Sequence, residues 1–537
     1  MSSSVAGRGR AAAKRCATLP SIRILVFHGY LLRGTGSNVY NASLARAMVP
    51  LGHEVDLLCQ DRDAARLPWV DAVGTWEGGS LQVEVLREPV RCTVYTPPIG
   101  RVLPVYVADR YDGFDAKPFQ DLSDTELERY ISANVDAVAD VAARVRPEAA
   151  LANHLVMGPV VLARAGLRYA VKIHGSALEY TVKRHPERFL PFAREGLDGA
   201  AGVLVGSRHT AESLWEAMDD AALPQRTRLG PPGVDVHEFH QRGVADATAG
   251  LRALADRLEG SPTAGWGGDE GAAAALRALD PARDRIVSYV GKLIVSKGVD
   301  LLLAAWPLVV AAVPDARLCV VGFGEYRDGL RRLVEAIGRG DVEAARELAR
   351  RGRALEGGEE HELTYLAAFL DGLAGDERER WLGAGSAAAQ RVHFTGRLEH
   401  ADLPDLLPAC EAQVVPSTFP EAFGMVAAEA AACGALPLSA GHSGLAEVTA
   451  TLREALDEDL RPLLEFERGP GAVRAIAAKL VAWLTLDAGR RAAAAGALSN
   501  LARGRYGWEN VAEGVLAAAR GRLAELPRPA APPSEPF

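Results

Sequence analysis

Short apolar runs recur along this chain, most of them closed by a glycine or histidine turn and followed by a segment of helical spacing. They are IRILVF, HEVDLLC, AALANH, YAVKIHG and GVLVGS in the first half, then RIVSYVGK, RLCVVGFG, VHFTG and AQVVP. Most are apolar on both sides rather than alternating, the pattern of strands covered on two faces, which requires parallel sheets with helical crossovers. A chain of 537 residues is too long for one compact core, so the pattern implies an α/β protein with two doubly wound, Rossmann-like domains facing a central cleft.

Punctuation along the chain sets the expected boundaries. Residues 1–20 are acid-free, rich in Arg, Ser and Ala, and lack a secretory apolar core, so they read as a disordered tail. The first domain runs over 21–240 and closes at the turn LGPPGVDVHEF. Residues 241–283 read as an Ala/Gly-rich linker with a helix or two around a mobile Gly-rich middle, and 284–500 as the second domain. Within it, 330–390 is a helical insertion whose interleaved charges indicate solvated helices, with an interaction module as the sharper alternative. A helical segment covers 501–525, and the Pro-rich 526–537 reads as a second disordered tail. Aromatics in the loop-rich 69–120 favour packing over ligand recognition.

The chemistry concentrates between Pro416 and Glu447. There AQVVP is followed by a loop carrying Glu421 and Phe423, a helix opening at Gly424, and Glu429 on that helix. A helix start leaves backbone N–H groups without partners, here those of Gly424, Met425 and Val426, between two carboxylates. Lys292 and Lys297 follow the first strand of the same domain and supply countercharge. The set suits a nucleoside diphosphate sugar, with lysines and amides on the diphosphate, Glu429 on ribose hydroxyls and Glu421 on the donor sugar. From the first domain, Gly34 and Gly36 permit close backbone approach after the first strand, and His174 falls at a strand's carboxyl end, where open α/β sheets bind ligands. Asp61 and Asp63 have the form of a metal-binding acidic pair but read as a surface loop, so no metal site is expected.

Net charge −9 and a pI near 5.8 argue against general nucleic-acid or anionic-membrane binding. The six cysteines, at 16, 59, 92, 319, 410 and 433, show no CxxC spacing and read as reduced, buried thiols of a cytoplasmic protein. No apolar run reaches bilayer length, which leaves room for peripheral contact with a membrane acceptor.

The segments PEAFGMVAAEAAACGALPL, VGKLIVSKGVDLLLAAW, VHFTGRLEHADLPDLL and PPGVDVHEF resemble, in order, those of the retaining GT-B glycosyltransferases of family four, the glycogen-synthase and sucrose-synthase-like group with its Glu-x7-Glu signature. That resemblance implies a GT-B fold and a terminal helix around Trp508 that crosses back to the first domain. It implies Lys297 on the diphosphate and Lys292 where the family usually has arginine, a change that keeps charge but loses the bidentate fork. It further implies Gly36 near the family's glycine turn, His174 against the donor sugar and Arg397 lining the base. Catalysis then falls to His174, Lys297 and Glu421. Transfer would proceed with retention by front-face attack, without metal or resident cofactor, from a UDP- or GDP-sugar to an acceptor that the sequence leaves open. The alternatives are a nucleotide-sugar epimerase on the same fold and a non-catalytic scaffold.

Overall fold

The computed structural model describes residues 21–34, 36–106, 113–260 and 270–529. The expected tail at 1–20 and the Gly-rich middle of the expected linker lie outside them.

Among the described residues the first half builds a nine-stranded sheet from β1 (Arg23–Phe27), β2 (Glu54–Leu58), β3 (Ala72–Glu77), β4 (Ser80–Val85), β5 (Cys92–Tyr95), β8 (Ala149–Asn153), β9 (Tyr169–Ile173), β10 (Ala200–Val205) and β11 (Thr227–Leu229). Their spatial order is β11-β10-β9-β8-β1-β2-β5-β3-β4, parallel throughout except for the β3/β4 hairpin. A separate parallel pair, β6 (Val102–Val105) and β7 (Asp115–Pro118), lies beside it. The second sheet has six parallel strands in the order β14-β13-β12-β15-β16-β17. These are β12 (Arg285–Val290), β13 (Ala316–Val321), β14 (Val392–Gly396), β15 (Ala412–Val415), β16 (Leu436–Ala440) and β17 (Glu465–Phe466).

Both sheets reverse direction beside their first strand, β1 between β2 and β8, and β12 between β13 and β15. Loops leaving the carboxyl ends of neighbouring strands diverge at such a point and open a crevice. The apolar runs fill the strands because both faces are covered: every residue of β8, β9, β15 and β16 is buried.

Three regions depart from the sequence reading. The helix Val244–Gly260 does not stand apart as a linker. Its Leu251, Leu254 and Ala255 are buried in the core of the second sheet, and Arg242 and Arg257 pair with Asp405. The helices of 330–390 are not merely solvated: Leu330, Leu333, Ile337, Leu366, Phe369 and Trp381 enter the same core. Trp381 Nε1 donates to Ala304 O at 2.8 Å, in the helix Val299–Ala312. Charges at most other positions hid an apolar stripe of helical spacing. The Pro-rich tail starts later than 526, since Leu526 packs on the first domain and Leu229 N–H donates to Pro527 O at 2.8 Å.

The chain crosses between the domains twice, and the crossings touch: Val234 N–H donates to Tyr506 O at 2.6 Å, and Val234 bridges Gly507. Beyond that point the helix Trp508–Ala519 packs Trp508, Ala512, Val515 and Leu516 against Ile24, Val26 and Leu44 of the first domain. The described cysteines, Cys59, Cys92, Cys319, Cys410 and Cys433, are buried free thiols. Among the described residues, no helix is long and apolar enough to cross a membrane.

Candidate functional site

Two loops of the second sheet are laced together at its switch point. Thr418 N–H, after β15, donates to Ser296 O, after β12, at 2.9 Å, and Ser417 Oγ lies 3.2 Å from the same oxygen. This brings Lys297 onto Glu421, and the two form an ion pair through Nζ and Oε1. Ser417 Oγ donates to Oε1 at 2.8 Å, while Ser443 Oγ accepts from Glu421 N–H at 2.9 Å. Burial pushes the Glu421 carboxyl up, but the Lys297 charge and the hydrogen bonds from Lys297 and Ser417 outweigh it and hold it below its ordinary range. Glu421 is therefore an anion that accepts hydrogen bonds.

Gly424 then turns the chain into the helix Met425–Ala432 with a φ of 110°. The N–H groups of Gly424, Met425 and Val426 have no hydrogen-bond partner among the described residues. Phe423 is buried edge-on to Tyr506, and Gln413 Nε2 donates to Val426 O at 2.7 Å. Glu429, one turn further along, is 2 % exposed and meets His400 Nε2 at 2.8 Å through Oε1. On the other flank Lys292 Nζ and the Arg397 guanidinium lie 5.9 and 5.7 Å from the ring centre of Phe323. Arg397 also pairs with Glu399 at 2.7 Å and points at the first domain: its Nη2 is 3.7 Å from where a Cβ on Gly34 would stand. Anionic groups of a ligand would meet two cations and a free helix end within this crevice.

The first domain contributes a polar network at the ends of β1, β8 and β9. Asn153 Nδ2 donates to Phe27 O at 3.1 Å and to Asn41 Oδ1 at 2.8 Å, so its Oδ1 faces His174 Nε2, 2.8 Å away. His174 thus carries its proton on Nε2 and keeps Nδ1 as an acceptor. Burial, and then the nearby His154, Lys172 and His28, hold its pKa well below the ordinary imidazole value, so it stays neutral. His28 is fixed likewise, with Nε2 near Leu31 O and Asn38 Oδ1 and Nδ1 receiving Asn41 Nδ2 at 3.0 Å. The next residue, Gly175, abuts the Glu421 loop: a Cβ there would lie 3.3 Å from Ala422 Cβ.

Of the expected site residues, Lys297, Glu421, Gly424, Met425, Val426 and Glu429 share one loop-and-helix corner and Phe423 packs beneath it; from the first domain it is Gly175, next to His174, that reaches the Glu421 loop, while His174 itself sits in the network with Asn153, Tyr40 and His154. Lys292 and Arg397 converge on Phe323. Gly36 is exposed at the start of the helix Gly36–Met48 with open space around it, and Gly34, at φ 97°, makes the turn. Asp61 is not in a surface loop. It is 3 % exposed, accepts from Leu32 N–H at 3.1 Å and pairs with Arg33, bracing the turn after β1. Asn41, Asn153, His28 and His400 were not read from the sequence. For His28 and Asn153 the available signal was a polar residue at the end of a parallel strand; Asn41, inside the helix Gly36–Met48, and His400, in a turn, carried none. Among the described residues no group of three or more His, Cys, Asp or Glu side chains is arranged to hold a metal ion.

Comparison with known proteins follows this geometry. Residues 35–233 match the glycosyl transferase 4-like domain, and residues 383–453 match the glycosyl transferases group 1 family. The first match contains Gly36 and His174, the second Arg397, Glu421 and Glu429; Lys292 and Lys297 lie outside both. The D-inositol 3-phosphate glycosyltransferase of Segniliparus rotundus is 29 % identical over 303 residues, covering 56 % of this chain and 49 % of that protein. A GDP-mannose-dependent monoacylated alpha-(1-6)-phosphatidylinositol monomannoside mannosyltransferase of Corynebacterium glutamicum is 28 % identical over 172 residues, 31 % of this chain and 32 % of its own. The chain thus spans about half the length of the first relative and a third of the second. Among solved structures, sucrose-phosphate synthase from Thermosynechococcus elongatus aligns over 94 % of this chain and 100 % of its own, with a TM-score of 0.55 and 20 % identity. The Anabaena protein HepE, solved with UDP-glucose, aligns over 94 % and 100 % at a TM-score of 0.54 and 17 % identity. The fold is GT-B, and the chain carries a glycosyl transferase 4-like domain followed by a glycosyltransferase group 1 domain.

Proposed function

We propose that this protein transfers a glycosyl group from a nucleoside diphosphate sugar to a hydroxyl-bearing acceptor, with retention at the anomeric carbon and without a metal. The observation that carries the reading is the Lys297–Glu421 ion pair at the free N-terminal end of the helix Met425–Ala432. In this reading the N–H groups of residues 424–426 bind the diphosphate, with Lys297 and Lys292 beside it. Glu429 accepts from ribose and Glu421 from the donor sugar. The acceptor hydroxyl attacks from the face the diphosphate is leaving. The bond from the anomeric carbon to phosphate oxygen breaks, the bond to the acceptor oxygen forms, and the acceptor proton passes to the departing phosphate. The developing charge is on that phosphate, and preorganised lysines and amides are placed to stabilise it, the work a metal performs elsewhere. Neutral His174, its Nε2–H committed to Asn153, receives a hydroxyl hydrogen bond through Nδ1 and is not the acid.

The test is thermal stabilisation and turnover with a panel of UDP-, GDP- and ADP-sugars, UDP and GDP first. The relatives named above make inositol phosphates the first acceptors to try. Transfer with the donor's anomeric configuration retained, and undiminished by chelator, is the expected result. No response to any donor by the folded protein overturns the reading. Release of an epimerised sugar nucleotide without acceptor replaces it with the epimerase.

A further inference from the structure

Glu429 is a nearly fully buried carboxylate at the candidate ribose position, and among the described residues His400 is the one side chain that hydrogen-bonds it. Oε1 takes the 2.8 Å contact to His400 Nε2, whereas Oε2 has no partner. That second oxygen keeps access to the crevice, with its lone pairs open to a hydroxyl donor. His400 belongs to the turn His400–Asp402 after β14, and its side chain is 32 % exposed, at the rim of the crevice. Phe239, from the segment that crosses between the domains, packs against the imidazole at 5.1 Å.

The groups facing this imidazole come from three directions. They are Glu429 from the helix below, Asp235 from the crossing segment, itself 3.3 Å from Arg46, and Glu399 from its own turn. Burial lowers the His400 pKa, but the charge and hydrogen bond of Glu429, then Asp235 and Glu399, outweigh it and raise the pKa above the ordinary value. The Glu429 carboxylate thus favours the protonated imidazole, whose charge offsets its own.

We propose, resting on the donor reading above, that His400 is a positioning residue for the nucleoside. Its Nε2–H fixes the Glu429 carboxylate so that Oε2 is presented to a ribose hydroxyl. Its positive charge cancels a carboxylate that would otherwise repel the incoming diphosphate. The two roles are separable by substitution. His400→Gln retains a donor to Oε1 and removes the charge; His400→Ala removes both.

The experiment is calorimetric titration of the full chain and both variants with uridine, guanosine and adenosine diphosphates and their 2′-deoxy and 3′-deoxy analogues, from about pH 6 to about pH 9. Melting curves verify that each variant folds. Relative to His400→Gln, wild-type affinity for the nucleotide that binds falls about fivefold or more as the pH rises through the His400 pKa, the size of a lost partly screened charge pair. Comparison at each pH cancels the titration of the nucleotide's own phosphate. His400→Ala loses about tenfold of the preference for the ribonucleotide over a deoxy analogue, and His400→Gln keeps most of it. An unchanged deoxy preference in folded His400→Ala, or an identical pH profile in wild type and His400→Gln, overturns the proposal while leaving the donor reading intact. Failure of all three nucleotides to bind wild type overturns both.

Discussion

Lys297 and Glu421, on loops leaving the neighbouring strands β12 and β15, form an ion pair at the free end of the helix Met425–Ala432. The pair keeps each charge in place before a donor arrives, and a diphosphate would share the lysine. Lys297→Ala is expected to reduce kcat by at least about a hundredfold, the scale of losing one preorganised charge stabiliser. With side chains 30 % and 21 % exposed, the surviving Glu421 can be hydrated, so the cost in folding is limited to about 1 kcal/mol. The Glu421 pKa is depressed, so the stabilisation is present above its unfolded value and lost as pH falls through the folded one. Urea melts at neutral and acidic pH, beside initial rates, check both parts. Retained activity removes Lys297 from the diphosphate.

Glu447 of the second domain closes the amino end of the helix Arg208–Met218 of the first. Its carboxylate accepts from Arg208 N–H at 2.8 Å and from His209 N–H at 3.0 Å. A capping interaction of this type is worth about 1 kcal/mol, roughly fivefold in the balance between closed and open cleft. In Glu447→Ala the donor-free protein should scatter X-rays with a larger radius of gyration than wild type, and donor should restore compaction. An unchanged radius would mean that the cap does not hold the domains together.

The strands were legible because residues buried on two faces must be apolar without interruption, as in YAVKIHG and AQVVP. Glu421, Gly424 and Glu429 were legible because a helix start places them at fixed intervals along one short stretch. Partners from distant segments carried no such local signature. Asn41 meets Asn153, Glu447 meets Arg208, and His400 meets Glu429 only after the sheets form. Asp61 misled for the opposite reason, since a charged, turn-like context suggested solvent where the fold supplies Leu32 N–H and Arg33.

Lys172 is buried in β9, 2.5 Å from Gly230 O and 5.4 Å from the ring centre of Tyr40, and burial lowers its pKa from 10.5 to about 7. Between those values the unfolded chain holds a proton that the folded chain has released, so wild-type stability rises with pH across that window. Lys172→Met lacks this slope. Its stability relative to wild type should be highest near pH 7 and decline toward pH 10, measured by urea unfolding at several pH values. Parallel curves would show that the amine is charged in the folded protein.

Three glycines around the cleft should respond differently to alanine, and the order of their effects separates backbone demand from ligand contact. At Gly424, φ is 110° and a Cβ would lie 2.5 Å from Leu445 Cδ2, a fully buried side chain. Gly424→Ala must twist the chain or push Leu445, costing about 1–3 kcal/mol and shifting the helix end that carries the free N–H groups. Stability and donor affinity should therefore fall together. At Gly34, φ is 97° but the nearest atom is Arg397 Nη2 at 3.7 Å, so Gly34→Ala carries the backbone strain without a clash and costs about 1 kcal/mol. Gly36 has neither a positive φ nor an atom within 4 Å, and alanine there also favours the helix it begins. Gly36→Ala should melt at or above the wild-type temperature, so any loss of donor or acceptor affinity in that variant reports ligand contact at Gly36 directly. Unaltered affinity would assign the role of the turn to Gly34.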